Sequence, residues 1–399
     1  MKILVINSGS SSIKYKLFDM EDMKSLASGL IENIGKKTSS FHHKDPLSGS
    51  DIERDLPVTG HKQGFTLMMD TLLETGAITD ISSLSAMGHR VVHGGKRFKA
   101  PVLVDKEVME TIRKLIPLAP LHNPANLTGI EAAMKLAPDT PQVAVFDTAF
   151  HQTMPKEAFL YALPRHLYDK FHVRRYGFHG TSHSYVSRIA ASFLNIHTGH
   201  INCISLHLGN GASATAIKNG NSIDTSMGLT PLEGLIMGTR SGDIDPAIIF
   251  YLARVAGLDI REIDHVLNFE SGLLGICGEN DMRAITQKAK KGDPLAELAI
   301  DMFCHRLKKY IGAYTAILQR VDCLIFTGGI GENSQLIRLK TCSGLEHMGI
   351  LIDPEKNSKP LPEITAINKT DSPVKILVAP TDEELEIARQ TRQVLMGRH

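Results

Sequence analysis

Two periods of apolar spacing alternate along the chain. Lys2-Ile3-Leu4-Val5-Ile6 is a short apolar run with β-branched residues, and it stops at Asn7-Ser8-Gly9-Ser10-Ser11-Ser12. Ile13, Tyr15 and Leu17 then alternate with Lys14, Lys16 and Phe18. This predicts a strand, a small-residue turn and a second strand. Apolar runs at 86–92, 142–146, 201–208, 214–217, 322–326 and 375–379 predict further strands. Helical spacing predicts helices over 64–73, 106–115, 126–136, 185–193, 246–255, 260–266 and 294–318, with Asp281-Met282-Arg283 opening another. A closing helix over 385–395 takes Thr381 or Asp382 as its cap. The polar, turn-rich segment 21–55 reads as short strands and loops. Buried strands alternating with helices mark an α/β architecture.

The strand at 201–208 runs into Gly209-Asn210-Gly211-Ala212-Ser213 and returns as a strand. The opening design is thereby repeated, which predicts a duplicated fold with one phosphate-facing loop per lobe. A length of 399 residues agrees with two domains. A net charge of +1 gives no field that would favour nucleic acid or a membrane surface. The 5 cysteines are scattered without a C-x-x-C pair, as in a reduced, cytoplasmic protein. The first residues show no charged leader with a cleavage site, and no apolar stretch reaches a membrane-spanning length, so a secreted or membrane protein is not expected.

Several residues carry candidate chemistry. In Asn7–Ser12, Gly9 lets backbone N–H groups approach an anion, hydroxyls can bond phosphate oxygens, and Lys14 adds a charge just past the turn. An ordinary Ser/Gly hairpin turn reads the same way. Arg90 lies within the apolar run before His93-Gly94-Gly95 and needs a partner, either a structural carboxylate or a bound anion. The proline-rich stretch 117–124 predicts a shaped loop holding His122 beside Leu121. Asp147 follows a buried strand, where open α/β sheets put ligand groups, though strand-end carboxylates also serve as turn formers. His179 and His183 are four apart, but no third ligand follows, and Thr181 or Ser182 reads as a helix cap rather than part of a metal pair. Arg240 sits in a glycine-rich loop, and Thr327-Gly328-Gly329-Ile330-Gly331-Glu332-Asn333 leads a strand into a helix, which suits a nucleotide.

Taken together, Asn7–Lys14, Gly88–Gly95, Phe146–His151, Phe178–His183, His207–Gly211 and Thr239–Asp243 resemble the acetate kinase family along essentially the whole chain. The resemblance implies the duplicated RNase-H-like fold of sugar kinases, Hsp70 and actin, an α/β fold of two lobes around a central cleft. It implies a first lobe of 1–149 plus 385–399, a second of 150–384 carrying the nucleotide site, and a homodimer. By the same resemblance Asn7 and Glu383 correspond to the magnesium site and Lys14 to an ATP contact. Arg90 corresponds to a substrate contact, Asp147 to the catalytic carboxylate, and His179 and Arg240 to groups that stabilise the transition state. Val92, Leu121, Phe178 and Pro231, with His122, match the small apolar pocket for the acyl methyl. The nucleotide stretches match His207, Leu208, Gly209, Asn210 and Gly211, then Asp281, Met282 and Arg283, then Gly329, Ile330, Gly331, Glu332 and Asn333.

The implied reaction transfers the γ-phosphoryl group of ATP to acetate, giving acetyl phosphate and ADP, with Mg2+ as cofactor, which Mn2+ can replace. A propionate kinase of the same family differs by one methylene in the acceptor. A conformational ATPase of the Hsp70 or actin kind would instead hydrolyse ATP without an acyl acceptor and would not need two arginines and a histidine about an apolar slot.

Overall fold

The computed structural model describes residues 1–46, 48–120 and 122–397. By its contacts the chain divides into Met1–Phe150 with Asp382–His399, and His151–Thr381. Glu383 and Glu384, expected in the second lobe, therefore belong to the first unit. Their helix packs on the strands of that unit from its first turn onward.

The first unit is built on a sheet of eight strands: β1 (Lys2–Ser8), β2 (Ser12–Asp19), β3 (Lys24–Glu32), β4 (Ser39–Asp45), β5 (Ser50–Leu56), β6 (Leu84–Val91), β7 (Val102–Leu103) and β8 (Gln142–Phe146). Their order is β5-β4-β3-β2-β1-β6-β8-β7. β1 to β5 pair antiparallel in sequence, β6 and β8 run parallel to β1, and β7 closes the edge antiparallel. The turn-rich segment 21–55 is thus three regular strands, stabilised by ladder pairing that its weak apolar pattern did not announce.

The continuous apolar run of β1 reflects burial on both faces. Leu4 and Ile6 pack with Ile13, Tyr15 and Phe65 on one side, and Ile3 and Val5 pack with Val143, Val145 and Ile387 on the other. The first side is covered by the helix His61–Glu74, the second by the closing helix Glu383–Leu395. A Cβ at Gly88 on β6 would lie 2.4 Å from Thr391 Oγ1, so only glycine there lets the closing helix approach this closely. Asp382 caps that helix, accepting the Leu385 N–H at 2.9 Å.

The second unit carries β9 (Cys203–Leu208), β10 (Ala212–Lys218), β11 (Asn221–Thr225), β12 (Cys323–Thr327), β13 (Thr365–Ala366) and β14 (Lys375–Val378), ordered β11-β10-β9-β12-β14-β13. This repeats β3-β2-β1-β6-β8-β7 strand for strand, down to the short antiparallel edge. The duplication expected from two similar hairpins is therefore a duplication of whole sheets. Each is the RNase-H-like arrangement of three antiparallel strands followed by parallel ones.

Helix starts differ from the sequence reading in two places that bear on the site. One helix begins at Asn123, with Pro124 in its first turn, where a missing N–H costs nothing. Another, Gly180–Phe193, has His179 as N-cap in a left-handed conformation (φ 56°), and Thr181 and Ser182 lie inside its first turn rather than capping it. No helix among the described residues is long and apolar enough to cross a membrane.

Candidate active site

In the first unit the turn after β1 closes with the Gly9 N–H donated to the Ser12 carbonyl at 2.8 Å. The helix Asn123–Leu136 ties this turn to the end of β6: the Asn126 amide donates to the Ser8 carbonyl at 2.8 Å and its Oδ1 accepts the Val92 N–H at 3.1 Å. Asn123 exchanges two hydrogen bonds with the His93 backbone, and Thr148 Oγ1 accepts the Gly94 N–H at 3.0 Å. Three buried side chains thus satisfy the backbone groups of glycine-rich turns that have no ladder partner.

Arg90 leaves the carboxyl end of β6 and donates to Asp147 through Nη2 at 2.6 Å and Nε at 3.3 Å, with Glu383 Oε2 at 3.6 Å. Its partners are therefore the other carboxylates expected at the site. Burial opposes the Arg90 charge, but Asp147 and then Glu383 outweigh it and hold the guanidinium protonated. Burial pushes the Glu383 carboxyl up to about 7; Arg90 pulls the other way, while Asp147 and Glu384 add to the rise. Lys14 Nζ lies 2.5 Å from Glu384 and Lys16 Nζ 2.8 Å from Asp382. Asn7 faces Lys14 across the β1–β2 ladder. The first unit accordingly gathers Lys14, Arg90, Asp147 and Glu383 into one charged cluster, with Asn7 opposite Lys14.

Asn7 and Glu383 supply hard oxygen donors of the kind a divalent cation takes. No group of three or more His, Cys, Asp or Glu able to hold a metal by itself occurs among the described residues. That donor set suits Mg2+, which binds through one or two carboxylates and completes its shell with substrate phosphates and water.

The second unit places different chemistry on the same sheet topology. The tip of the β9–β10 hairpin is held by the Gly209 N–H donating to the Gly211 carbonyl at 3.0 Å and the Gly238 N–H donating to the Asn210 carbonyl at 2.9 Å. A Cβ at Gly238 would overlap Asn210 Oδ1, so with any residue but glycine that side chain would have to move for the loop bearing Arg240 to reach the hairpin as closely. There His179 and Arg240 converge: a Cβ at Gly211 would lie 3.5 Å from His179 Nε2 and 3.7 Å from Arg240 Nη1. His207 stacks on His179 with ring centroids 4.3 Å apart. Arg240 Nη1 donates to the Pro231 carbonyl at 3.3 Å and lies 3.8 Å from Met237 Sδ, and no carboxylate among the described residues pairs with it. Burial lowers its pKa.

Beside the hairpin, Gly328 (φ 75°) opens the turn after β12, and a Cβ there would lie 2.8 Å from the Leu208 carbonyl. Glu332 Oε1 accepts the N–H groups of Gly328 and Thr381 at 2.9 and 3.1 Å, and the buried Arg338 donates to the carbonyls of Gly331 and Glu332 at 2.9 and 2.8 Å. The stretches 207–211 and 329–333 are therefore neighbours in the second unit. Asp281 caps the helix Met282–Lys290 and holds the exposed Arg283 through Oδ2 at 2.6 Å. Phe178 is buried, its carbonyl 3.0 Å from His151 Nε2. His122 is the N-cap of the helix from Asn123, and Leu121 lies outside the described residues.

The Acetokinase family model matches residues 2–389. The chain belongs to the acetokinase family. It is similar to an acetate kinase of Syntrophobacter fumaroxidans, 53% identical over 99% of this chain and 97% of that one. An acetate kinase of Helicobacter pylori is 53% identical over 99% of each. Among solved structures, acetate kinase of Porphyromonas gingivalis superposes with a TM-score of 0.94 at 44% identity over 99% of both chains. A propionate kinase of Francisella tularensis superposes at 0.92 and 48% identity over 98% of both. As a member of the acetokinase family the chain is a kinase, a phosphotransferase acting on a carboxyl acceptor.

In this chain Asn123, Asn126, Thr148, Glu384 and Ser213 shape the site, although no pattern in the sequence singles them out. Asn123 and Asn126 left one trace, two amides three residues apart at the start of a helix, a spacing that puts both on one face.

Proposed function

We propose that the protein catalyses the reversible, direct in-line transfer of the ATP γ-phosphoryl group to acetate, giving acetyl phosphate and ADP. The observation that carries this reading is Arg240: a partly buried guanidinium facing His179 over Gly211, with a proline carbonyl and a thioether for company and no carboxylate among the described residues. A desolvated cation without a counter-charge is costly unless a ligand supplies one, and a phosphoryl group does.

Acetate, with a pKa near those of side-chain carboxyls, about 4 to 5, is already ionised at neutral pH. The acceptor needs no general base; it needs relief from repulsion as one anion approaches another. Arg90 neutralises the acceptor carboxylate, and Asp147, bonded to two of its nitrogens, sets the direction of that guanidinium. Arg240 and His179 donate to the equatorial oxygens as negative charge spreads over them. Lys14 meets the nucleotide phosphates, and the segments 207–211, 281–283 and 329–333 hold the nucleotide. Asn7 and Glu383 would hold Mg2+, whose chemistry is to screen the phosphate charge. By the family resemblance, Val92 and His122 of the first unit and Phe178 and Pro231 of the second are the positions that would meet the acyl methyl.

A propionate kinase is the second reading, favoured by the Francisella tularensis neighbour. One methylene is worth about 1–3 kcal/mol of discrimination, so pocket size decides the preference by degree. Hydroxylamine trapping of acyl phosphate formed from ATP with acetate, propionate and butyrate, side by side, separates them. Highest kcat/KM with acetate supports the proposal; no acyl phosphate from any acid, with ATP hydrolysed alone, would replace it with a conformational ATPase.

The protein acts as a homodimer in the cytoplasm in this reading. Supporting the dimer, Phe250, Tyr251, Val255, Ile260 and Phe269 are exposed on adjoining helical segments of the second unit, and Val255 and Ile260 are 65% and 70% accessible. A molar mass of one chain by light scattering at micromolar concentration would remove it.

A further inference from the structure

A chain of buried side chains runs behind His179 that none of the roles above uses. Ser213, on β10 directly opposite His207, lies 3.0 Å from His179 Nδ1 and 2.7 Å from His183 Nε2 through the same Oγ. His183 Nδ1 lies 2.9 Å from Ser205 Oγ on β9. Ser205, Ser213 and His183 are each 0% exposed. His183 stands one helical turn after His179, so the hairpin and the helix Gly180–Phe193 together hold four polar groups in a line: Ser205, His183, Ser213, His179.

We propose that Ser213, backed by His183, is a positioning residue that donates to or accepts from His179 Nδ1 as the bound anion requires, so that Nε2 presents a proton toward the phosphoryl group at Gly211. The inference rests on the role of His179 in the reading above. It follows from counting donors. Burial, with His151 and His207 adding to it, drives the His183 pKa well below 6.5, so this ring is neutral and carries one N–H. Each serine has one O–H. The line can therefore be satisfied in only two directions.

In the first, Ser205 donates to His183 Nδ1, His183 Nε2–H donates to Ser213, and Ser213 donates to His179 Nδ1. Nε2 of a neutral His179 then holds the proton. In the second every bond reverses, His179 Nδ1–H donates to Ser213, and Nε2 of a neutral ring turns a lone pair to its ligand. With an anion at Nε2, only the first direction pairs every donor with an acceptor. If His179 is charged, the second direction serves and Nε2 still donates. The Ser213 hydroxyl, able to donate or accept, keeps Nε2 a donor in both protonation states.

The experiment compares the wild type with Ser213→Ala and Ser213→Thr in steady-state turnover, alongside 15N-edited NMR of the histidine rings. Loss of the hydroxyl should lower kcat by about tenfold or more, the scale of a mispositioned catalytic imidazole, with KM for ATP and acetate within about twofold. Ser213→Thr, which keeps the hydroxyl, should restore most of the loss, and the His179 Nδ1 resonance should move in Ser213→Ala alone. Turnover of Ser213→Ala within twofold of wild type, or an equal loss in the alanine and threonine variants, overturns the proposal. Should Ser213→Ala not fold, His183→Gln against His183→Leu decides: the amide of Gln can still donate to Ser213, and equal kcat in the two variants overturns it. A wild-type protein that makes no acyl phosphate would sink the proposed function instead, so the two failures are distinguishable.

Discussion

In the first unit Arg90 and Asp147 leave the carboxyl ends of β6 and β8; in the second the corresponding strands, β12 and β14, end in Thr327-Gly328 and Ala379-Pro380-Thr381. The hairpins differ in the same sense. The first hairpin carries Lys14 and Lys16, paired with Glu384 and Asp382, whereas His207 to Gly211 sits among imidazoles, hydroxyls and glycines. A repeated backbone thus supplies equivalent strand ends, and side chains make one charged and self-neutralised, the other nearly uncharged except for Arg240. The lesson is electrostatic. A ligand at Arg90 competes with Asp147 for a cation already paired, while a ligand at Arg240 meets one that no carboxylate among the described residues neutralises.

The largest effect should come from removing these cations. Arg240→Ala should lower turnover by a factor of hundreds or more, the scale known for arginines acting on a phosphoryl group, and Arg90→Ala should do likewise. Steady-state rates with losses below about threefold at both positions would take the two arginines out of the mechanism and leave the comparison without functional content.

Opposite pH responses sharpen the contrast. Glu383, raised to about 7, binds more protons in the folded chain than in the unfolded one, so its share of stability is full below about 4.5 and is lost as pH rises toward 7. Glu383→Gln should remove that slope. The variant's melting temperature, measured without nucleotide, should gain a few degrees on wild type between pH 5 and 8, and its Mg2+ requirement should rise several-fold. His151 in the second unit is lowered to about 4 by burial, against a Phe178 carbonyl bond that raises it. There the unfolded chain binds more protons, so stability is lost as pH falls from about 6.5 toward 4. His151→Gln should flatten the acid limb of the melting curve by a few degrees; equal slopes in variant and wild type would contradict the buried neutral ring.

The smallest effect is expected at Lys14. Half exposed and bonded to Glu384, it should contribute modestly, and Lys14→Ala should raise KM for ATP several-fold with kcat within about threefold. Unchanged ATP dependence would remove it as a nucleotide contact.

What sequence made legible was local. Arg90 and Asp147 stood out because a charge inside or just after an apolar run has few uses, and the paired hairpins announced a duplication that proved to extend over six strands each. The partners of those residues were not legible. Asn126 bonds Ser8 from 118 residues away, and Ser213 meets His183 from 30. Neither residue breaks a pattern in its own segment, so neither left a mark there.

Periodicity, glycine spacing and the placing of charged residues at strand ends were thus determined by the amino-acid order alone, because backbone sterics and burial act over a few neighbouring residues. Which carboxylate neutralises Arg90, that none among the described residues pairs with Arg240, and which hydroxyl lies behind His179 were decided by tertiary structure. Those contacts depend on segments distant along the chain meeting within hydrogen-bond distance, and only the packed sheets and helices bring them there.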